Sequence, residues 1–439
     1  MRGFLASSIS VACSAALLLP LSLAAGAAAA PPEAPPTPDL PGSTQSLPLQ
    51  PIGPKDRSLG PAKEQGLLDP DVKPFSLVGV VWDNASTELH GTVQVRTRPI
   101  GSRTWSSWQD VQTHNEDHGP DPGTAEGKSA KARGSTAPLW VGASDGVEIR
   151  VRSEAGEPLP LPAGMRLELV DPGAEPPAVD RSGGALLPAD GTVVPALSRA
   201  ETVAVDPVED DDRTTEEENA DGQSDALAIP AAAAAAPYIG PRPAIITRKG
   251  WGADESLRES GFVYTSSVNV AFVHHSATGN SYTCAQAPSV LRGIYRYHVV
   301  SSGWRDFGYN FAVDKCGNIY EGRAGGVAKA VQGAHTLGFN TNSMGIAVLG
   351  TYSSSTPPPA AVTAVAKLTA WKLGLFGANP KGKATLTSGG SGKYAKGKKI
   401  SFNVISGHRD GVFTDCPGSK LYSKLGTART ASASYQGRG

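Results

Sequence analysis

Gly407-His408-Arg409-Asp410-Gly411-Val412-Phe413-Thr414-Asp415-Cys416-Pro417-Gly418 sets an imidazole and a thiol eight residues apart, on a segment broken by Gly411 and stopped by Pro417. Both side chains are good zinc ligands, and a loop of this length folds them onto one ion. A catalytic zinc takes three protein ligands and leaves a fourth position for water. The pattern therefore calls for another histidine on a rigid element upstream. Ala271-Phe272-Val273-His274-His275-Ser276 supplies it, as a short buried strand ending in two histidines.

The neighbouring sequence reads as alternating strands and helices. Val270–His275, Phe311–Asp314, Gly345–Gly350 and Phe402–Ile405 are short apolar runs bounded by turn residues, as buried strands are. Pro288 suits the first turn of a helix over 288–300, with Val290, Leu291, Ile294 and Tyr295 as its apolar stripe. A longer helix begins after Pro357-Pro358-Pro359, where Val362, Val365, Leu368, Trp371 and Leu375 fall near helical spacing. These elements predict an α/β domain over residues 240–430, a mixed central sheet flanked by helices. Lys381, Lys383, Lys393, Lys396, Lys398 and Lys399 mark a basic, Gly-rich insertion expected to be a solvated loop.

Five motifs in order carry a resemblance: His274-His275-Ser276, Gly308-Tyr309-Asn310-Phe311, Glu321-Gly322-Arg323, Gly333-Ala334-His335-Thr336 and the His408–Cys416 run. Residues 240–430 resemble the peptidoglycan recognition protein family and the type 2 N-acetylmuramoyl-L-alanine amidases that share its fold. The resemblance implies a Zn2+ held by His274, His408 and Cys416. His275 then points elsewhere, because neighbouring strand side chains alternate faces, and is at most a substrate contact. Tyr309 matches the family tyrosine beside the zinc, where its hydroxyl can orient water or donate to the developing oxyanion. Thr414 stands where some members carry a lysine; it can hydrogen-bond but brings no positive charge. His335 and Arg323 are candidate substrate contacts, with a loop cap and a structural ion pair as their structural alternatives. His298 falls on the Ile294 face of its helix and reads as structural. The stretch between Gly322 and Gly333 is longer than in animal members, which leaves the stem-peptide preference open.

Cysteine counting fits this reading. Without Cys13 in the leader, the chain has Cys284, Cys316 and Cys416. A Cys284–Cys316 disulfide leaves Cys416 for the metal, whereas either other pairing would consume the ligand.

The remaining chain divides by composition. Residues 1–30 read as a secretory signal peptide, with Leu17, Leu18, Leu19, Leu21 and Leu23 in its apolar core and small residues up to Ala30. A membrane anchor is the alternative, but the run is short and Ala-rich. Residues 31–73 are Pro-rich and expected to be disordered. Residues 74–172 alternate short strands with Gly, Pro and Asp turns, as in Thr92-Val93-Gln94-Val95-Arg96-Thr97-Arg98, and predict an all-β, sandwich-like accessory domain. Its tryptophans, among them Trp105 and Trp108, either fill the sandwich core or stack on sugar rings. Residues 173–239 carry the acidic runs Glu209–Asp212 and Glu216–Glu218 and the Ala231–Ala236 run, and read as a linker. Residues 431–439 are expected to form a disordered tail.

The formal net charge of −1 singles out no class of charged partner, and nucleic acid is not expected. The sequence thus predicts a secreted, monomeric zinc amidase of the cell wall. It would cut peptidoglycan between N-acetylmuramic acid and L-alanine, could touch other wall polymers, and would not stay inserted in a membrane. Two alternatives share the fold: a non-catalytic recognition module, in which the cysteine ligand is typically replaced, and a different peptidoglycan amide hydrolase such as an endopeptidase. A structural wall protein using mainly the β domain is a third.

Overall fold

The computed structural model describes residues 42–52, 64–115, 117–154, 161–174, 191–205 and 238–439. The expected signal peptide and the acidic and alanine runs lie outside them. Among the described residues no helix is long and apolar enough to cross a membrane.

The N-terminal part is all β, as its alternating pattern predicts. Its sheet runs in the order Ser43–Pro48, Arg166–Asp171, Phe75–Trp82, Leu139–Ser153, Glu64–Leu68 and Gln50–Pro51. The long Leu139–Ser153 strand joins two layers. Its first residues pair with Phe75–Trp82, and its later ones lie between Glu64–Leu68 and Gly91–Pro99. Val78, Val80, Val93, Val95, Ile149, Leu167 and Leu169 face one another across the layers in one buried cluster. Inward residues alternate with polar outward ones, which is the sandwich signature.

Three strands lie upstream of residue 74, inside the span expected to be disordered. Ser43–Pro48 pairs antiparallel with Arg166–Asp171, as an edge strand with its proline at the very end. Proline is tolerated at sheet edges, so Pro-rich composition here did not mean absence of order. Two of the tryptophans fill the core and two lie nearer the surface. Trp82 and Trp140 are buried, whereas Trp105 and Trp108 are half-buried. The latter two stack with arginines, Arg98 and Arg96 over Trp105 and Arg96 and Arg150 over Trp108.

The C-terminal part is a mixed seven-stranded sheet with helices on both faces. Val270–His275 runs parallel between Ser343–Val348 and Ile405–Gly407, near one end of the sheet. Ala271 and Val273 face the core beneath the Pro359–Leu375 helix, while Val270 and Phe272 face a second cluster with Phe339 and Phe402. By the period-two rule His274 shares the Phe272 face and His275 the Val273 face. The expected helix over 288–300 is an α-helix, Ala287–Arg296, followed by a π turn, Tyr297–Ser301. The basic insertion is not merely a loop: Lys383–Thr387 and Lys399–Asn403 form a hairpin whose Leu386 and Phe402 cover Phe272 and Phe339.

Two further segments are ordered where linker and tail were expected. Val193–Val194 adds an antiparallel edge to Ile245–Ile246, followed by the Arg199–Val205 helix. Residues 431–435 continue the Leu425–Tyr435 helix, which buries Ala428, Ser432 and Ala433. The Ser432 hydroxyl lies 3.1 Å from that of Thr369, and the Gln436 amide donates to the Ala370 carbonyl, so the tail is docked on the Pro359–Leu375 helix.

The two parts share a core. Leu77, Val81, Trp140 and Val170 of the β part pack with Val290, Leu291, Ile294 and Tyr297. The Ala287–Arg296 helix is therefore buried on nearly every side, with Gly293 permitting close approach to Leu77. The Tyr297 hydroxyl reaches the carbonyls of Val80 and Thr136 at 3.2 and 3.1 Å. Ser301 donates to the buried Glu168 carboxylate at 2.8 Å.

Candidate metal centre

The sheet ends deliver the three sequence-predicted ligands to one point. Strand Val270–His275 ends in His274, and the adjacent parallel strand Ile405–Gly407 runs directly into His408. Residues His408–Gly411 form one helical turn, with the Asp410 carboxylate accepting from the Gly407 amide at 2.9 Å. The Arg409 amide donates to the Cys416 carbonyl at 2.9 Å, which closes the loop and returns Cys416 to the strand ends.

The ring atoms are oriented as ligands. His274 Nδ1 lies 3.8 Å from Cys416 Sγ, while its Nε2 lies 3.3 Å from the Thr336 hydroxyl. His408 Nε2 donates to the Asp117 carbonyl at 3.2 Å, and its buried Nδ1 has no hydrogen-bond partner. A carbonyl on one ring nitrogen fixes the tautomer and leaves the other lone pair for a metal. The His275 amide donates to Cys416 Sγ at 3.4 Å. Burial, reinforced by neighbouring imidazoles, holds His274 and His408 well below the usual histidine range, so both are neutral. Burial pushes the Cys416 thiol up, so taking a metal requires it to release a proton.

A fourth side chain joins them that the sequence reading missed. His118, from a loop of the β part, lies with its ring centroid 4.2 Å from that of His408 and 5.3 Å from that of His274. One ligand atom from each of His118, His274, His408 and Cys416 falls within 4.8 Å of the others. A tetrahedral zinc with bonds near 2.0–2.3 Å spaces its ligands by about 3.3–3.8 Å. The donor set, two neutral imidazoles and a thiol with a third imidazole alongside, therefore fits zinc after a contraction of about 1 Å.

The other candidates are placed as follows. The Tyr309 ring lies 5.1 Å from that of His274, and burial, followed by the proximity of Cys416, raises its hydroxyl pKa so that it stays protonated. Thr414 Oγ1 accepts from the Cys416 amide at 3.3 Å and so braces the ligand loop. His335 is fully buried, 2.9 Å from the Thr336 hydroxyl through Nδ1, and burial lowers its pKa to about 3. His275 is buried on the opposite strand face, with Nδ1 accepting from the Tyr352 amide. Arg323 is not open to a substrate in this conformation: it pairs with Glu126 and donates to the Phe307 carbonyl. His298 is structural, stacked on Trp304 and accepting from the Gly308 amide. Cys284 and Cys316 form a disulfide, and Cys416 is free.

This combination defines a class. Residues 264–419 match the family described as N-acetylmuramoyl-L-alanine amidase, and residues 31–178 match one described as "Rv3811 N-terminal galactose-binding domain-like". The chain is 31% identical over 183 residues to peptidoglycan-recognition protein SC2 of Drosophila simulans, covering 42% of this chain and 85% of that one. It is 32% identical over 189 residues to the N-acetylmuramoyl-L-alanine amidase of Homo sapiens, covering 42% of this chain and 28% of that one. Among solved structures, wild-type Drosophila PGRP-LB aligns at 25% identity with a TM-score of 0.33, over 42% of this chain and 92% of that one. The chain belongs to the peptidoglycan recognition protein and N-acetylmuramoyl-L-alanine amidase family, with a galactose-binding-like domain in front.

Proposed function

We propose that this protein is a secreted zinc amidase that hydrolyses the bond between N-acetylmuramic acid and L-alanine in peptidoglycan. The observation that carries the reading is the convergence of one ligand atom each from His274, His408 and Cys416, all within 4.8 Å of one another, supported by Thr336, the Asp117 carbonyl and the His275 amide. Zinc, when bound there, supplies Lewis acidity and lowers the pKa of water towards about 7.

The chain's own residues do the rest. His274 and His408 are neutral at physiological pH and need lose no proton to serve as ligands. Cys416 brings a single negative charge once deprotonated, so the set remains net positive with a divalent ion. Tyr309, protonated and beside His274, is positioned as a donor to the oxyanion that develops on the scissile carbonyl. Thr414 acts through Cys416, by fixing the turn that aims its sulfur. Presence of Cys416 favours catalysis over recognition alone, since a soft thiolate suits zinc and has no evident use in a binding groove.

The test is digestion of purified peptidoglycan by the intact chain and by His118→Ala, each with and without chelator, beside Cys416→Ser. Mass spectrometry of soluble products should show stem peptides beginning with L-alanine, lost with chelator and with Cys416→Ser. Peptidoglycan binding without stem-peptide release from either the intact chain or His118→Ala would leave a recognition module. Peptides cut within the stem would instead identify an endopeptidase.

A further inference from the structure

The His274, His408 and Cys416 side chains are each 0% exposed, so no wall strand reaches them in this conformation. What covers them is the Asp117–Arg133 loop of the β part. It is fastened along the amidase face at successive points. The Asp117 carbonyl accepts from the Leu337 amide at 3.0 Å as well as from His408. The Gly119 carbonyl accepts from Asn340 Nδ2 at 2.9 Å. Asp121 Oδ1 accepts from the Gly338 amide at 2.7 Å and from Asn340 Nδ2 at 2.6 Å. Glu126 meets Arg323 through both carboxylate oxygens and accepts from the Arg305 amide. The Arg133 amide donates to the Ser302 carbonyl at 3.0 Å. Between the first two of these anchors sits His118, its ligand nitrogen within reach of the other three.

A zinc with four protein ligands is the closed pattern of structural sites, whereas hydrolysis needs an open position. Both patterns are available here, depending on where one loop sits. We propose that the Asp117–Arg133 loop is a built-in plug, with His118 as a fourth ligand to the metal held by His274, His408 and Cys416, and that this conformation is a latent form of the site. The inference rests on the zinc reading above. Opening requires the loop to leave, breaking the Asp121–Asn340 and Glu126–Arg323 contacts and exchanging an imidazole for water. The loop also carries the carbonyl that orients His408, so its departure changes both the fourth position and one ligand's support.

The test uses the full chain loaded with Co2+ in place of zinc, with visible absorption as readout and acetohydroxamate as the probe of an open position. The intact protein should keep its spectrum as acetohydroxamate is added. His118→Ala should respond with a saturable spectral change. Zinc transfer to a chromophoric chelator should be at least about 10-fold faster from His118→Ala, since even loss of an outer-shell partner costs roughly 10- to 100-fold in affinity. Should His118→Ala fold poorly, the double variant Asp121→Asn, Glu126→Gln keeps the imidazole but loosens its loop, and should respond to acetohydroxamate partially. An intact protein that responds as strongly as His118→Ala, with equal zinc release, overturns the plug. Failure of every form to bind Co2+ overturns both the plug and the zinc reading. The expected spectra with no stem peptides released by His118→Ala would uphold the plug and refute the amidase.

Discussion

Arg323 and Glu126, 197 residues apart in sequence, form a two-pronged buried ion pair with N–O distances of 2.8 and 2.9 Å. One comes from the motif-bearing part of the chain and the other from the β part. Their side chains are only 5% and 9% exposed, so solvent screens the pair little. Removing one partner strands a buried charge, which costs about 3–5 kcal/mol, whereas replacing both with apolar groups is often neutral. Arg323→Ala should therefore lower the stability of the intact chain by several kcal/mol in urea denaturation. Arg323→Met combined with Glu126→Leu should recover part of that, the remainder reflecting the Phe307 carbonyl and Arg305 amide that lose these partners. If the single and double variants were equally destabilised, the pair would not be the source.

The same junction makes a steric prediction. A Cβ on Gly79 would lie 2.5 Å or closer to the Tyr297 ring, and that ring is locked by its hydroxyl contacts to Val80 and Thr136. Gly79→Ala must displace the helix from the β part, at a cost of about 1–3 kcal/mol for overpacking. Tyr297→Phe leaves the space but removes the hydroxyl's hydrogen bonds, at about 0.5–1.5 kcal/mol, since the Val80 carbonyl still accepts from the Thr136 amide and the Thr136 carbonyl from Asn115 Nδ2. Both should lower the melting temperature of the full chain. In addition, Gly79→Ala should raise hydrogen exchange at the Asp117–Arg133 backbone, because that loop is carried by the part being displaced.

What was legible in the sequence was whatever local periodicity or motif spacing could encode. Val270–His275 and Pro359–Leu375 followed from apolar spacing, and the approach of His408 to Cys416 followed from a turn-rich loop of fixed length. His118 was not legible. It stands 156 residues before His274, in Asp117-His118-Gly119-Pro120-Asp121-Pro122-Gly123, a run with no period and no partner motif nearby. Only its scarcity was a clue, since the chain has 8 histidines and a turn-rich loop has little structural need of one. For Arg323 the structural ion pair, one of its two readings, is present, but Glu126 as the partner is set by how the two parts dock, which no local pattern records. The strand Ser43–Pro48 was hidden by the Pro-rich composition around it, because the sheet edge that tolerates proline is known only from the fold.

Metal removal should be visible in stability as well as in catalysis. A ligand bound only by the folded state stabilises it by RT ln(1 + [L]/Kd), or about 4 kcal/mol at a thousandfold excess over Kd. Calorimetry of the zinc-loaded chain, with and without excess chelator, should therefore show a fall in melting temperature. Cys416→Ser should sit near the chelated value and gain little from added zinc, because a hydroxyl does not replace a soft thiolate. If chelator left the wild-type transition unmoved while elemental analysis showed the metal gone, the four side chains would form a self-sufficient core.

Acid stability also depends on a histidine that is not itself one of the four ligand candidates. Burial holds folded His298 neutral down to about pH 3, while in the unfolded chain it takes a proton near its ordinary value of 6.5. Between these values the unfolded state binds more protons, so acidification destabilises the fold by up to about 1.4 kcal/mol per pH unit from this one group. Above pH 6.5 the contribution is fully present and constant; below about pH 3 the loss is complete. The ring's Nδ1 accepts from the Gly308 amide at 3.2 Å, a bond that an amide oxygen at the same position can also make. His298→Asn should consequently be less stable at pH 8, where stacking on Trp304 is lost, yet show a shallower fall between pH 6 and pH 4. Urea midpoints measured across that range decide it: parallel curves for the two proteins would mean that His298 is protonated in the folded state and carries none of the acid sensitivity.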